Sequence, residues 1–150
     1  MSLNQTVDAM REVPMFRNVD PKQLRLFAFM GETLSFRAGE RLFEQGDEGD
    51  AAYIVIEGQV EVIVPTPAGE AAVAVLGEKE IFGEMAVLGD KPRSTAIGAK
   101  TDLRVLRLDR STITKLLTEF PDIALELIRV LADRLEATTA ELARARENAA

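Results

Sequence analysis

Between Glu32 and Asp109 the chain is broken by turn signals at nearly even intervals: Ala38-Gly39, Gly46-Asp47, Glu57-Gly58, Pro67-Ala68-Gly69, Gly77-Glu78, Gly89-Asp90 and Lys100-Thr101-Asp102. A spacing of roughly 8–12 residues leaves room only for short strands and is that of an antiparallel sandwich or barrel. About eight strands fit, which predicts a jelly roll, the double-stranded β-helix. Val60, Val62 and Val64 alternate with Glu61 and Ile63, and Leu103, Val105, Leu106 and Leu108 recur around Arg104 and Arg107, as half-buried strands should.

Helical patterns flank this region. Residues 1–31 predict short helices: Asn4 to Met10 is weakly periodic, Pro14 breaks the pattern, and Asp20 caps a helix with Pro21 at its first position, followed by Leu24, Phe27 and Ala28. Phe16 is expected to dock on the elements C-terminal to it. Residues 110–147 predict two more helices. Asp109 or Ser111 caps the first, which carries Ile113, Leu116 and Leu117 and stops at Phe120-Pro121, because a residue before proline avoids the helical region. Asp122 to about Glu147 reads as one long helix. Ile123, Leu127 and Val130 share one side and Ile128 and Leu131 another; further on, only the seam Ile128, Leu131, Leu135, Thr138, Leu142 persists, in the 3-4-3-4 rhythm of a coiled coil. The expectation is a mainly β fold with flanking helices, forming one unit over residues 1–150, whose last helix packs on the sandwich and then pairs with a second copy as a homodimer, an ordinary amphipathic surface helix being the alternative.

Composition narrows the chemistry. Hydrophobic residues make up 47% of the 150 and charged residues 29%, a globular balance. The net charge of -7 would repel a polyphosphate backbone, so direct nucleic-acid binding is not expected. No apolar run approaches the ~20 residues of a membrane helix and no signal peptide is apparent, so the expectation is a cytoplasmic protein without a membrane segment. With no Cys and no His, disulfides, most metal and haem ligation, thiol nucleophiles and imidazole catalysis are unsupported. An enzyme is not expected, nor a metal or cofactor.

One loop resists a purely structural reading. In "IFGEMAVLGDKPRSTA", Ile81 to Ala96, a carboxylate, an arginine and hydroxyl side chains stand within and beside an apolar run. Gly83 permits close backbone approach, and Glu84 to Leu88 is long enough for one helical turn whose unpaired N–H groups face an anion past the small Ala86. Arg93 adds a planar fork suited to phosphate oxygens, Ser94 a hydroxyl, and Glu84 an acceptor for a sugar hydroxyl. Each residue also has an ordinary role open to it: Glu84 as a cap, Arg93 paired with Asp90 or Glu84, Gly83 in a bulge.

The same residues resemble a known family. F-G-E, a hydrophobic residue (Met85), then Ala86, with Arg93 and a small residue further on, is similar to the phosphate-binding cassette of cyclic nucleotide-binding domains, here spanning 82–96. "VPMFRNVDPKQLRLFA", "YIVIEGQVEVIV" and the last helix fall where that family places its counterparts. The resemblance implies that Glu84 accepts the ribose 2′-hydroxyl, that Gly83 and Ala86 offer backbone N–H groups to sugar and phosphate, and that Arg93, aided by Ser94, neutralises the cyclic phosphate. It implies a base or sugar contact for Val62. In "RLEATTAEL", Thr138 and Thr139 resemble residues of the catabolite activator's central helix that reach the adenine, which would explain a polar residue in the seam; a local backbone bond is the plain alternative for Thr138.

The implied function is a cyclic nucleotide sensor, with cyclic AMP preferred over cyclic GMP because Ser94 lacks the methyl of the threonine usual in cyclic GMP binders. Its last helix would close over the bound ligand and signal to an effector protein in trans, or to the rest of a longer protein of which this chain is one domain. The sequence stops at Ala150, so the helix-turn-helix module of the activator branch is not expected. The rival readings are a dimerising scaffold of the same fold that has lost its ligand, and a cupin-like enzyme, the latter disfavoured by the missing histidines.

Overall fold

Along Ala51–Glu57 (β3) and Leu103–Asp109 (β8) almost every position is apolar or buried, and the two strands pair antiparallel with Tyr53 opposite Arg107 and Ile54 opposite Leu106. Strands so rich in β-branched and aliphatic residues are buried on both faces. In the computed structural model, which describes residues 2–149, they form the middle of one sheet, flanked by Glu32–Phe36 (β1) and Ile81–Phe82 (β6) in the order β1-β8-β3-β6. The facing sheet has the order β2-β7-β4-β5, built from Arg41–Phe43 (β2), Ala96–Ala99 (β7), Val60–Thr66 (β4) and Gly69–Leu76 (β5). The expected eight-stranded antiparallel jelly roll is the fold.

Because side chains alternate across a strand, β3 and β8 feed two distinct cores. Ala51, Tyr53, Val55, Leu103 and Val105 point between the sheets, where they meet Val60, Phe82, Ile97 and Ala99. Ala52, Ile54, Leu106 and Leu108 point outward to a helical layer containing Met10, Phe16, Leu24, Phe27, Ile113, Leu116, Ile123 and Leu127.

That layer is assembled from Leu3–Arg11 (α1), a 3-10 turn at Pro14–Phe16, Pro21–Met30 (α2), Arg110–Glu119 (α4) and Pro121–Ala149 (α5). Asp20 caps α2 by accepting from the Lys22 N–H, and Phe16 is buried as expected. Of the two candidate caps for α4, Asp109 is the one used, accepting from the Thr112 N–H at 2.9 Å. These bonds hold the Asp109 carboxyl below its usual range.

The 29-residue helix α5 has the two characters its sequence suggests, with one correction. Ile123 and Leu127 are buried and Val130 packs against the helical core, while Ile128, a seam position, is 61% exposed; the correction is Leu131, placed in the same seam by its spacing but packed against the helical core. Ile128, Leu135 (68% exposed) and Leu142 (54%) form an open apolar stripe. No described helix is long and apolar enough to cross a membrane.

Candidate nucleotide site

The site begins where β6 ends. Gly83 has φ +78°, a left-handed conformation that lets the chain turn sharply into Glu84–Gly89 (α3). A Cβ there would lie 2.8 Å from Arg93 Nη1, so glycine is required for space as well as for backbone freedom. No side chain caps the N-terminus of α3, and Glu84, Ala86 and Val87 are its buried residues.

Arg93 leaves this turn and folds back beneath it. Its backbone is clamped to the 46–47 turn, with Arg93 N–H to Asp47 O and Gly46 N–H to Arg93 O, both 2.8 Å. Its guanidinium, with only 3% of the residue exposed, donates from Nη1 to Gly83 O and from Nη2 to Ala51 O, each at 2.6 Å. The cation sits 4.1 Å from the centroid of the Phe43 ring, in a group completed by the stacked pair Tyr53 and Phe82. Neither partner that the sequence offered it is used: Asp90 pairs with Arg110 and Glu84 with Arg134, while the carboxylate nearest Arg93 is Asp50, at 3.8 Å. Burial pushes its pKa below the usual guanidinium value, yet a guanidinium stays charged at any physiological pH. Arg93 Nε is buried without a partner. A charged, preoriented donor is thus left incompletely answered, an arrangement that favours an incoming anion.

Glu84 is buried beside it, 3% exposed. Desolvation raises its pKa, against the lowering effects of its own backbone N–H, Arg134 and Arg93. Arg134, from α5, donates to Glu84 Oε1 at 3.1 Å and to Ile81 O at 2.5 Å. Arg134 is not among the residues singled out from sequence, since an arginine amid the charges of a long helix reads as a solvated face. The signal present was its position one helical turn before Thr138 on the same face.

Together these groups line a cavity of ≈ 220 Å³. Its lining combines the charged Arg93, Glu84 and Arg134 and the hydroxyls of Ser94 and Thr95 with Gly83, Met85, Ala86 and the apolar Val62, Leu76 and Ile97. Of the nine residues singled out from sequence, seven therefore converge. Thr138 and Thr139 do not: both are exposed on α5, outside the cavity lining within one chain. Among the described residues no cluster of three or more His, Cys, Asp or Glu could hold a metal ion.

This geometry has close counterparts. Residues 33–120 match the sequence model of the cyclic nucleotide-binding domain, and the chain belongs to that family. It is 30% identical over 130 residues to a CRP-like cAMP-activated global transcriptional regulator of Mycobacterium tuberculosis, covering 86% of this chain and 58% of that protein. It is 34% identical over 108 residues to a cAMP-dependent protein kinase regulatory subunit of Emericella nidulans, covering 72% and 26%. The crystal structure of the Thermus thermophilus catabolite activator protein is similar with a TM-score of 0.76 at 33% identity, covering 86% and 61%. The chain therefore spans 58% and 26% of the length of these two curated relatives.

Proposed function

We propose that this chain is a cyclic AMP-binding regulatory module that acts as a homodimer. The observation carrying the reading is Arg93: a buried guanidinium with an unpartnered Nε, oriented by Gly83 O and Ala51 O among the residues that line the cavity. A cyclic phosphate is an anion that this guanidinium can answer, and Glu84 stands ready as acceptor for a ribose hydroxyl. The apolar Val62, Leu76 and Ile97 of the lining suit a base. Both curated relatives are named for cyclic AMP, which supports the choice of nucleotide.

Arg134 supplies the coupling. It ties α5 to Glu84, so a ligand hydroxyl that donates to Glu84 changes how the last helix is held, and differential affinity for the two arrangements makes a switch. Pairing through Ile128, Leu135 and Leu142 brings a second α5 alongside, and Thr138 and Thr139 then reach the base from the seam. Calorimetric titration with cyclic AMP, cyclic GMP and AMP tests the reading. Tight binding of cyclic AMP, weaker binding of cyclic GMP and little of AMP is the expected order; no heat with any cyclic nucleotide would leave the fold as a scaffold alone.

A further inference from the structure

A helix of six residues is too short to hold itself, so α3 depends on what grips it. At its N-terminal end the grip is Gly83 with Arg93. At its C-terminal end it is Arg110, the first residue of α4, which lies outside the cavity lining. Arg110 Nη1 donates to Val87 O at 3.1 Å, satisfying one of the carbonyls that a helix end leaves open. Its Nη2 donates to Gly49 O at 2.7 Å, and Nη1 is 3.2 Å from the Asp90 carboxylate.

The Gly49 side of this bridge is also tight. A Cβ on Gly49 would come within 2.4 Å of the Ala86 Cβ, so the loop lies directly against α3. The next residues complete the link: Asp50 O accepts from the Arg110 backbone N–H at 3.0 Å, and Ala51 O accepts from Arg93. Residues 49–51 thus serve both arginines, one beneath each end of α3.

We infer that Arg110 is a positioning residue for the nucleotide site: it fixes the C-terminal end of α3 to the segment that orients Arg93, so affinity depends on a side chain that does not line the cavity. The bridge requires a planar fork reaching two carbonyl oxygens on different segments. A lysine in its place keeps the charge but offers a single point donor.

The ligand arm of the test rests on the cyclic AMP reading; the exchange arm does not. Amide hydrogen exchange is measured on the full chain without ligand for wild type, Arg110→Lys and Arg110→Ala, with cyclic AMP affinity by calorimetry alongside. Faster exchange across residues 84–89 is expected in both variants, with β3 and β8 unchanged. Affinity should fall roughly three- to thirtyfold. Unchanged exchange at 84–89, full retention of slow exchange by Arg110→Lys, or faster exchange spread equally over β3 and β8 would overturn the inference. If Arg110→Ala does not fold, Arg110→Lys decides alone. If the wild type binds no cyclic nucleotide, the nucleotide reading falls and the exchange result still decides the role of Arg110 in holding α3.

Discussion

Arg134 of α5 and Glu84 of α3 stand fifty residues apart in sequence and meet at 3.1 Å, with the arginine also bonded to Ile81 O. The carboxylate best placed to receive a sugar hydroxyl is therefore already engaged by the helix that would carry the signal. On the proposed reading, a sugar hydroxyl at Glu84 would share or replace that bond, which would link the position of α5 to the occupancy of the cavity.

Glu84→Gln should abolish discrimination between cyclic AMP and its 2′-deoxy analogue, because an amide is a poorer acceptor than a carboxylate. The same change has a pH signature. Burial raises the Glu84 pKa in the folded state above its unfolded value, so its favourable contribution is complete below the unfolded pKa and is lost as pH rises through the folded one. Thermal unfolding from pH 4 to pH 8 should show this component in the wild type and lack it in Glu84→Gln. Identical pH profiles, or equal discrimination of the two nucleotides by both proteins, would contradict the assignment.

Arg93→Ala removes the charge partner of a desolvated phosphate and should weaken cyclic AMP binding by about 2–5 kcal/mol. Calorimetry checks this directly, and an unchanged affinity would remove Arg93 from the site.

Gly83→Ala forces a side chain into a left-handed backbone at a cost of roughly 1–2 kcal/mol. Its Cβ would also press on Arg93 Nη1 from 2.8 Å. Urea unfolding should show the loss of stability, and the displaced guanidinium should lower nucleotide affinity in addition.

Leu135→Asp tests the stripe on α5. Leu135 is 68% exposed in the single chain, so the substitution should leave the monomer's fold intact while converting a dimer to a monomer in analytical ultracentrifugation. A wild type that sediments as a monomer would end the proposal of pairing through α5.

The layout was legible in the sequence to the extent that it depends on local rules. The change of period at Glu32 and at Asp109, the Asp20-Pro21 helix start and the glycine before Glu84 each rest on neighbours within a few residues, and each falls where the structure has it. The ion pairs were not legible, because they join distant segments. Arg93 lies nearest Asp50 rather than Asp90, and Glu84 is met by Arg134 rather than serving as a simple cap. Leu131 shows the same limit: its spacing placed it in the seam with Ile128 and Leu135, but only the tertiary arrangement decides that it packs on the helical core.

The alternation along β3 and β8 gives the molecule two independent reserves of cohesion. Tyr53 and Val55 seal the inside of the barrel, while Ile54 and Leu106 anchor the helices from outside. Any displacement of α4 and α5 would draw on the outer contacts rather than the inner ones. Substitutions at Ile54 and Val55, adjacent in sequence, would therefore alter different properties: the seating of the helical layer at the first, the integrity of the sandwich at the second.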